Sequence, residues 1–219
     1  MYLYTIVNMG NTQTKDDITH DIYDCCLYDN DKGLERCLKN GVDPNKKDEI
    51  GMRPLEYASS FECIKLLLEA GAEPNIFFES TSGTPLQIAS IRNHTDVVKI
   101  LLKYGANPNI PNLNGLTALD HACHACNLRG DIDIIETLLA YGANINHQDA
   151  SGFTVLHRAV MFGNKILVNI FLEHGADPLI KTNYGKTCLE MAAYYGHQDM
   201  LKMMNGKLGI YPETITNDT

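Results

Sequence analysis

Thr84-Pro-Leu-Gln-Ile-Ala-Ser-Ile-Arg-Asn-His-Thr-Asp-Val-Val-Lys-Ile-Leu-Leu-Lys-Tyr-Gly-Ala-Asn-Pro-Asn109 decides the fold. Thr84 before Pro85 and Leu86 reads as a helix N-cap. Proline is tolerated at the first helical position, where its missing N–H would have no partner. A second helix follows in Asp96-Val-Val-Lys-Ile-Leu-Leu102, and Gly105 supplies the left-handed residue that ends it. The stretch predicts a helix, a turn and a second helix.

Both of its phrases recur along the chain. The glycine phrase appears as Gly41-Val-Asp-Pro-Asn45, Gly71-Ala-Glu-Pro-Asn75, Gly105-Ala-Asn-Pro-Asn109, Gly142-Ala-Asn-Ile-Asn146 and Gly175-Ala-Asp-Pro-Leu179, at intervals of 30, 34, 37 and 33 residues. The capping phrase follows each as Arg53-Pro-Leu-Glu56, Thr84-Pro-Leu-Gln87, Thr117-Ala-Leu-Asp120, Thr154-Val-Leu-His157 and Thr187-Cys-Leu-Glu190. Chance does not interleave two phrases five times. Leu156, Ala159 and Val160 share one helix face, as do Leu189, Ala192 and Ala193, and the small alanines allow close packing. Asn114-Gly115 and Ser151-Gly152 then turn the chain in a short hairpin. One such unit cannot bury its apolar faces alone, so neighbours must stack.

The chain resembles the ankyrin repeat family, whose period is about 33 residues with a T-P-L-H-x-A signature. The resemblance runs from Asp17 to Asn205. It implies an all-α solenoid of about six helix-turn-helix-β-hairpin repeats, caps included, bounded near 17–45, 46–75, 76–109, 110–146, 147–179 and 180–210. The expected domains are an N-terminal extension over 1–16, the repeat domain over 17–210 and a C-terminal tail over 211–219. The first repeat lacks the capping phrase and reads as an N-terminal cap. The last, from Tyr194 to Lys207, adds Lys202 and Lys207 as a polar C-terminal cap.

The implied function is non-catalytic protein–protein interaction, as a scaffold, adaptor or inhibitor gripping a protein partner in the concave groove. The alternative is a substrate-targeting subunit of a larger enzyme complex such as a ubiquitin ligase. A metal- or redox-sensing protein is a third class, resting on the cysteines alone. Carried over residue by residue, the family's groove positions are Leu113, Leu116, His124, Phe153, Met161, Phe162, Tyr184, Lys186, Tyr194 and Tyr195, with Ile50, Met52, Ile91 and Arg92 in the N-terminal half. The competing expectation is that a neighbouring finger covers Phe153 and Phe162.

Departures from the period mark individuality. Repeat two is three residues short, where Tyr57-Ala-Ser-Ser-Phe61 trims the inter-helix turn. Repeat three has an extra finger residue around Ile76-Phe-Phe-Glu-Ser80. Repeat four has four additional residues within His121-Ala-Cys-His-Ala-Cys-Asn-Leu-Arg-Gly130. Such insertions map to loops or helix ends, often on a binding face.

Composition narrows the function classes. The chain has 219 residues, 18 Lys plus Arg against 27 Asp plus Glu, and a formal net charge of -9. It lacks the basic footprint that binds a phosphate backbone, so nucleic acid and anionic membranes are poor direct partners. The seven cysteines, at 25, 26, 37, 63, 123, 126 and 188, are odd in number and lie in apolar helical patterns. Free, buried thiols in a reducing compartment are expected: cytoplasmic, nuclear, or the host cytosol for a viral or bacterial protein. Met1 to Val7 is too short for a signal peptide, and no apolar run approaches the roughly 18 residues of a membrane span. A monomer without cofactor is expected.

Two local motifs need weighing. His121, Cys123, His124 and Cys126 suggest zinc, but on one helix they divide between two faces and cannot converge on one ion. Met9-Gly10-Asn-Thr-Gln-Thr14 fits an acylation signal only if translation starts at Met9, and Asp16 and Asp17 follow in place of a polybasic patch. No phosphate loop, nucleophile elbow or H-E-x-x-H helix occurs, and His157 fits a turn hydrogen bond. A non-enzyme is expected.

Overall fold

A computed structural model describes residues 21–78, 82–129 and 132–209. The acylation motif at Gly10, the 1–16 extension and the 211–219 tail lie outside the described residues. The chain divides into two compact units, one ending at Glu73 and one beginning at Pro74.

The first unit holds α1 (Ile22–Leu27), α2 (Asp31–Lys39), α3 (Pro54–Tyr57) and α4 (Phe61–Glu69). Asp21, Asn30 and Ser60 cap α1, α2 and α4 by accepting from Tyr23, Gly33 and Cys63 amides. Helix α2 packs on α1 and α4, and α3 packs on α1. Their core is Cys25, Cys26, Leu34, Cys37, Leu55, Cys63 and Leu67. Gly33 permits the close approach of α2 to α1: a Cβ there would lie 2.8 Å from Cys25 Sγ. The missing residues of repeat two truncate α3 to a single turn, since the chain must already be extended at Ala58.

The second unit holds α5 (Pro85–Arg92), α6 (Thr95–Lys103), α7 (Ala118–Arg129), α8 (Asp133–Ala140), α9 (Val155–Met161), α10 (Lys165–Glu173), α11 (Cys188–Tyr194) and α12 (Gln198–Lys207). First helices pack in series, α5 on α7, α7 on α9 and α9 on α11, while α6 packs on α8 and α10 on α12. The capping phrase does what its spacing predicts. Thr84, Thr154 and Thr187 accept from the amides of Gln87, His157 and Glu190, whose side chains reach back to accept from the threonine amides. Such reciprocal caps contribute about 1 kcal/mol each.

The last residue of the glycine phrase has its own task. In the first unit Asn45 donates to the Gly71 carbonyl at 2.9 Å and accepts from the Glu73 amide at 2.8 Å. In the second, Asn75 clasps Gly105 and Asn107, Asn109 clasps Gly142 and Asn144, and Asn146 clasps Gly175 and Asp177. Each asparagine ties one repeat to the next. Leu179 stands where a further clasp would be.

Two expectations are refined. The repeat-four insertion is helical: α7 runs 12 residues where α9 and α11 run 7, because His121 to Arg129 prolongs the helix. The β-hairpins are turns; among the described residues the one β-bridge pairs Phe78 with Gly83. Backbone bonds of 2.9 Å close the other fingers, from Asp48 to Met52, Asn112 to Leu116, Asp149 to Phe153 and Thr182 to Lys186. Asp48, Asn112 and Asp149 satisfy the tip amides with their side chains, leaving no ladder to extend. All seven cysteines are free and buried, as their helical positions predict.

Candidate protein-binding surface

In the second unit three fingers lock into one ledge. The Ala150 amide donates to Asn114 O, and the Asn183 amide donates to Ser151 O at 3.0 Å. Asn183 Nδ2 donates to Ala150 O, His147 Nε2 lies 2.8 Å from Gly115 O, and Gln148 donates to Gly152 O and Lys181 O. Contact is close enough that a Cβ on Gly152 would fall 2.6 Å from the Asn183 amide nitrogen, and its φ of +80° also demands glycine.

The ledge presents most of the finger residues expected from sequence. Leu113 is 79% exposed and Tyr184 74%. Phe153 is half-buried, edge-on to Tyr184 at 6.4 Å and to His157 at 5.8 Å. Leu116 is also half-buried, and its carbonyl accepts from Gln87. Lys186 is exposed.

A second row runs along the ends of the first helices. His124 is exposed and its ring lies 5.8 Å from half-buried Phe162, beside exposed Met161. Tyr194, 85% exposed, stands edge-on to Tyr195 at 5.2 Å. His197, unmarked by the sequence reading, joins the row at 5.9 Å from Tyr195. Ile91 and Arg92 are exposed at the end of α5. Phe153 is half-buried with Tyr184 of the next finger beside it, whereas the ring beside half-buried Phe162 is His124 of helix α7 and not a finger residue.

Between the rows the polar groups are committed to structure. Arg158 donates to Asp120 Oδ1 at 3.3 Å and pairs with Asp149, and both carboxylates are buried. This pins the 147–153 finger to α7 and α9. Asp120 also accepts from the Thr117 amide and hydroxyl, both at 2.9 Å. His157 Nδ1 accepts from the Thr154 amide, leaving Nε2–H for the Lys186 carbonyl at 3.3 Å, and burial holds its pKa below the ordinary 6.5. Burial likewise lowers His121, which meets Asn112 at 3.4 Å. Cys123 and Cys126 are buried while His124 points outward. The His-Cys run therefore does not meet at one point, and no group of three potential metal ligands gathers among the described residues.

The first unit has a separate cleft of about 780 Å³, lined by Tyr23, Leu27, Lys46, Asp48, Ile50 and Tyr57 among others. Tyr23 donates to Lys46 O at 2.9 Å, Tyr57 donates to Asp48 Oδ2 at 2.5 Å, and the two rings meet edge to face at 6.0 Å. Of the sequence-predicted positions, Ile50 lines it, while Met52 is half-buried. The tyrosines escaped notice because they lie outside the repeated phrases.

A family profile described as ankyrin repeats (3 copies) matches residues 76–149 and 122–214. The chain belongs to the ankyrin repeat family. It is 30% identical over 179 residues to the putative ankyrin repeat protein YahD of Escherichia coli, covering 78% of this chain and 87% of that one. A solved ankyrin repeat domain from Acinetobacter baumannii superposes with a TM-score of 0.76 at 25% identity, covering 85% of this chain and 96% of that one. The E3 ubiquitin-protein ligase Ufd4 of Drosophila melanogaster is 35% identical over 118 residues, 52% of this chain but 4% of the ligase. Several larger curated relatives are matched over a quarter of their length or less. Ankyrin repeats are protein-interaction modules, typically without catalysis of their own. No helix among the described residues is long and apolar enough to cross a membrane.

Proposed function

We propose that this ankyrin repeat chain is a scaffold, adaptor or inhibitor that binds a protein partner across the finger ledge and helix-end row of repeats four to six. One observation carries the reading: Leu113, Tyr184 and Tyr194 are each at least 74% exposed, the first two on fingers held together by hydrogen bonds and the third in the row of rings at the helix ends. Solenoid packing does not explain apolar groups left outside, whereas aromatic and Met side chains are the types enriched at interface cores. The seven buried free thiols support a reducing compartment, the cytoplasm first.

The test is affinity capture with the full chain from a lysate, followed by titration of the captured partner. Replacing Phe162 and Tyr195 together by alanine should leave the helical circular dichroism unchanged and weaken binding by about 2 kcal/mol or more, as hot spots do. Undiminished affinity of the double variant would place the site elsewhere. The match to Ufd4 supports a second reading, in which the chain brings a substrate to a ubiquitin ligase. Co-purification of a ligase with the wild-type chain would favour it.

A further inference from the structure

The cleft of the first unit is lined by groups that repeat packing leaves unused. Leu27 and Ile50 are exposed on it, and the rings of Tyr23 and Tyr57 line it with them. Both hydroxyls are tied, Tyr23 donating to the Lys46 carbonyl and Tyr57 to Asp48, so the rings are fixed before any partner arrives. At about 780 Å³ the cleft has room for several residues of a bound segment rather than one side chain.

The lining is acidic. Asp21, Asp24, Asp48 and Glu49 stand against Lys46 and Lys47, which leaves two negative charges in excess with both lysines counted in full. Neither lysine pairs with these carboxylates among the described residues. Nearby, Asp43 and Glu56 add to the excess, whereas Arg53 is matched by Glu73. Carboxylate charge reaches both rings: burial and then Asp21, Asp48 and Asp43 raise the Tyr23 pKa, and burial and then Asp48 and Glu56 raise that of Tyr57. The carboxylates do not converge, since no group of three potential metal ligands gathers among the described residues. Such a spread around two rings suits a broad, planar cation rather than a metal ion. Guanidinium donates in several directions, stacks on aromatic faces and is weakly hydrated, whereas the lysine ammonium is a compact, strongly hydrated point charge. An arginine stem also lies along apolar surface of the kind that Leu27 and Ile50 supply.

We propose that the first-unit cleft binds an arginine-bearing segment of a partner protein, with the guanidinium among the tyrosine rings and carboxylates and a neighbouring aliphatic residue on Leu27 and Ile50. This goes beyond the reading above, because it gives repeats one and two a protein contact of their own with a stated chemistry.

The experiment titrates the full chain with fluorescein-labelled, end-capped pentapeptides carrying Leu beside a central Arg, Lys, citrulline or Glu, read by fluorescence anisotropy. The Arg peptide should bind tightest and the Lys peptide more weakly, with added salt weakening both. Citrulline, which keeps the shape without the charge, and Glu should abolish binding. Asp21→Asn together with Glu49→Gln should weaken the Arg peptide about tenfold or more. Asparagine caps a helix as well as aspartate, and both side chains are exposed, so circular dichroism and the urea midpoint should be unchanged in that variant. Lys46→Gln together with Lys47→Gln should tighten the Arg peptide, because those charges oppose it. No binding of the Arg peptide, equal affinity for the citrulline or Lys peptide, or indifference to the carboxylate changes would overturn the proposal. Weaker binding in the lysine variant would overturn it as well, since the cleft would then be a site for anions. Displacement by spermidine at lower concentration than by unlabelled Arg peptide would make the ligand a polyamine and overturn the protein assignment. The two readings fail separately, because the surface of repeats four to six is tested with its own captured partner.

Discussion

His157 shows how one residue couples a cap to the next repeat. Its Nδ1 faces the Thr154 amide, so a proton there would set donor against donor. Gln87 occupies the same place in repeat three, bonding Ile110 O at 2.7 Å and Leu116 O at 3.0 Å, and carries no titratable group. Burial depresses the folded-state pKa of His157 below the ordinary 6.5. The unfolded chain therefore takes up protons first as pH falls, so stability is full above 6.5 and is lost on acidification toward the folded pKa. Urea midpoints measured across that range should fall with pH, and His157→Gln should flatten part of the slope; His121, also depressed, supplies a further part. An unchanged slope in the variant would show that folding leaves the pKa of His157 at its unfolded value. The cysteines give a second expectation at this scale. Burial pushes Cys25 up to about 11 and Cys63 up to about 12, and raises Cys26, Cys123 and Cys188 as well. Thiolate is the reactive form, so native protein should label slowly with a maleimide and urea-unfolded protein quickly. Rapid labelling of all seven in the native state would contradict the burial.

At the level of the element, the capping phrase determines where each first helix begins. Thr187 accepts from the Glu190 amide at 3.2 Å, and Glu190 returns the bond. Thr187→Ala should lower stability by about 1 kcal/mol, read from urea unfolding. A change indistinguishable from zero would mean water replaces the cap at no cost. Arg53 offers the contrast, because its side chain has no acceptor and only the returning bond from Glu56 is present. The α3 helix that it starts is the shortest among the described residues. Helix α7 shows the limit of local signals. Nothing in His121 to Arg129 breaks a helix, and the polar side chains there alternate with Ala and Cys, so the insertion prolongs an element already under way.

At the level of the whole molecule, a repeat stack is stable through nearest-neighbour coupling. Asparagine clasps supply part of that coupling, and the series ends at Leu179, which is 50% exposed. By register an asparagine there would face Gly209, which keeps the left-handed φ of +69° typical of the other helix-ending glycines. Leu179→Asn should therefore raise stability by roughly 0.5–1.5 kcal/mol and slow amide exchange in α12 more than in α6. Equal exchange in both proteins would show that the clasp adds nothing at this end. The sequence by itself determined the period, the two helices of each repeat, their caps and the burial of the cysteines, because those signals act within a few residues of where they are written. It also marked most of the exposed ledge residues, since register alone turns them away from the packed stripe. Only the tertiary structure decided that Asn45, Asn75, Asn109 and Asn146 bind the following repeat, that Arg158 is spent on Asp120 and Asp149, and that the fingers lock together. The partners in those contacts lie some thirty residues apart in most cases, and a hydrogen bond across that separation exists only once the repeats have stacked.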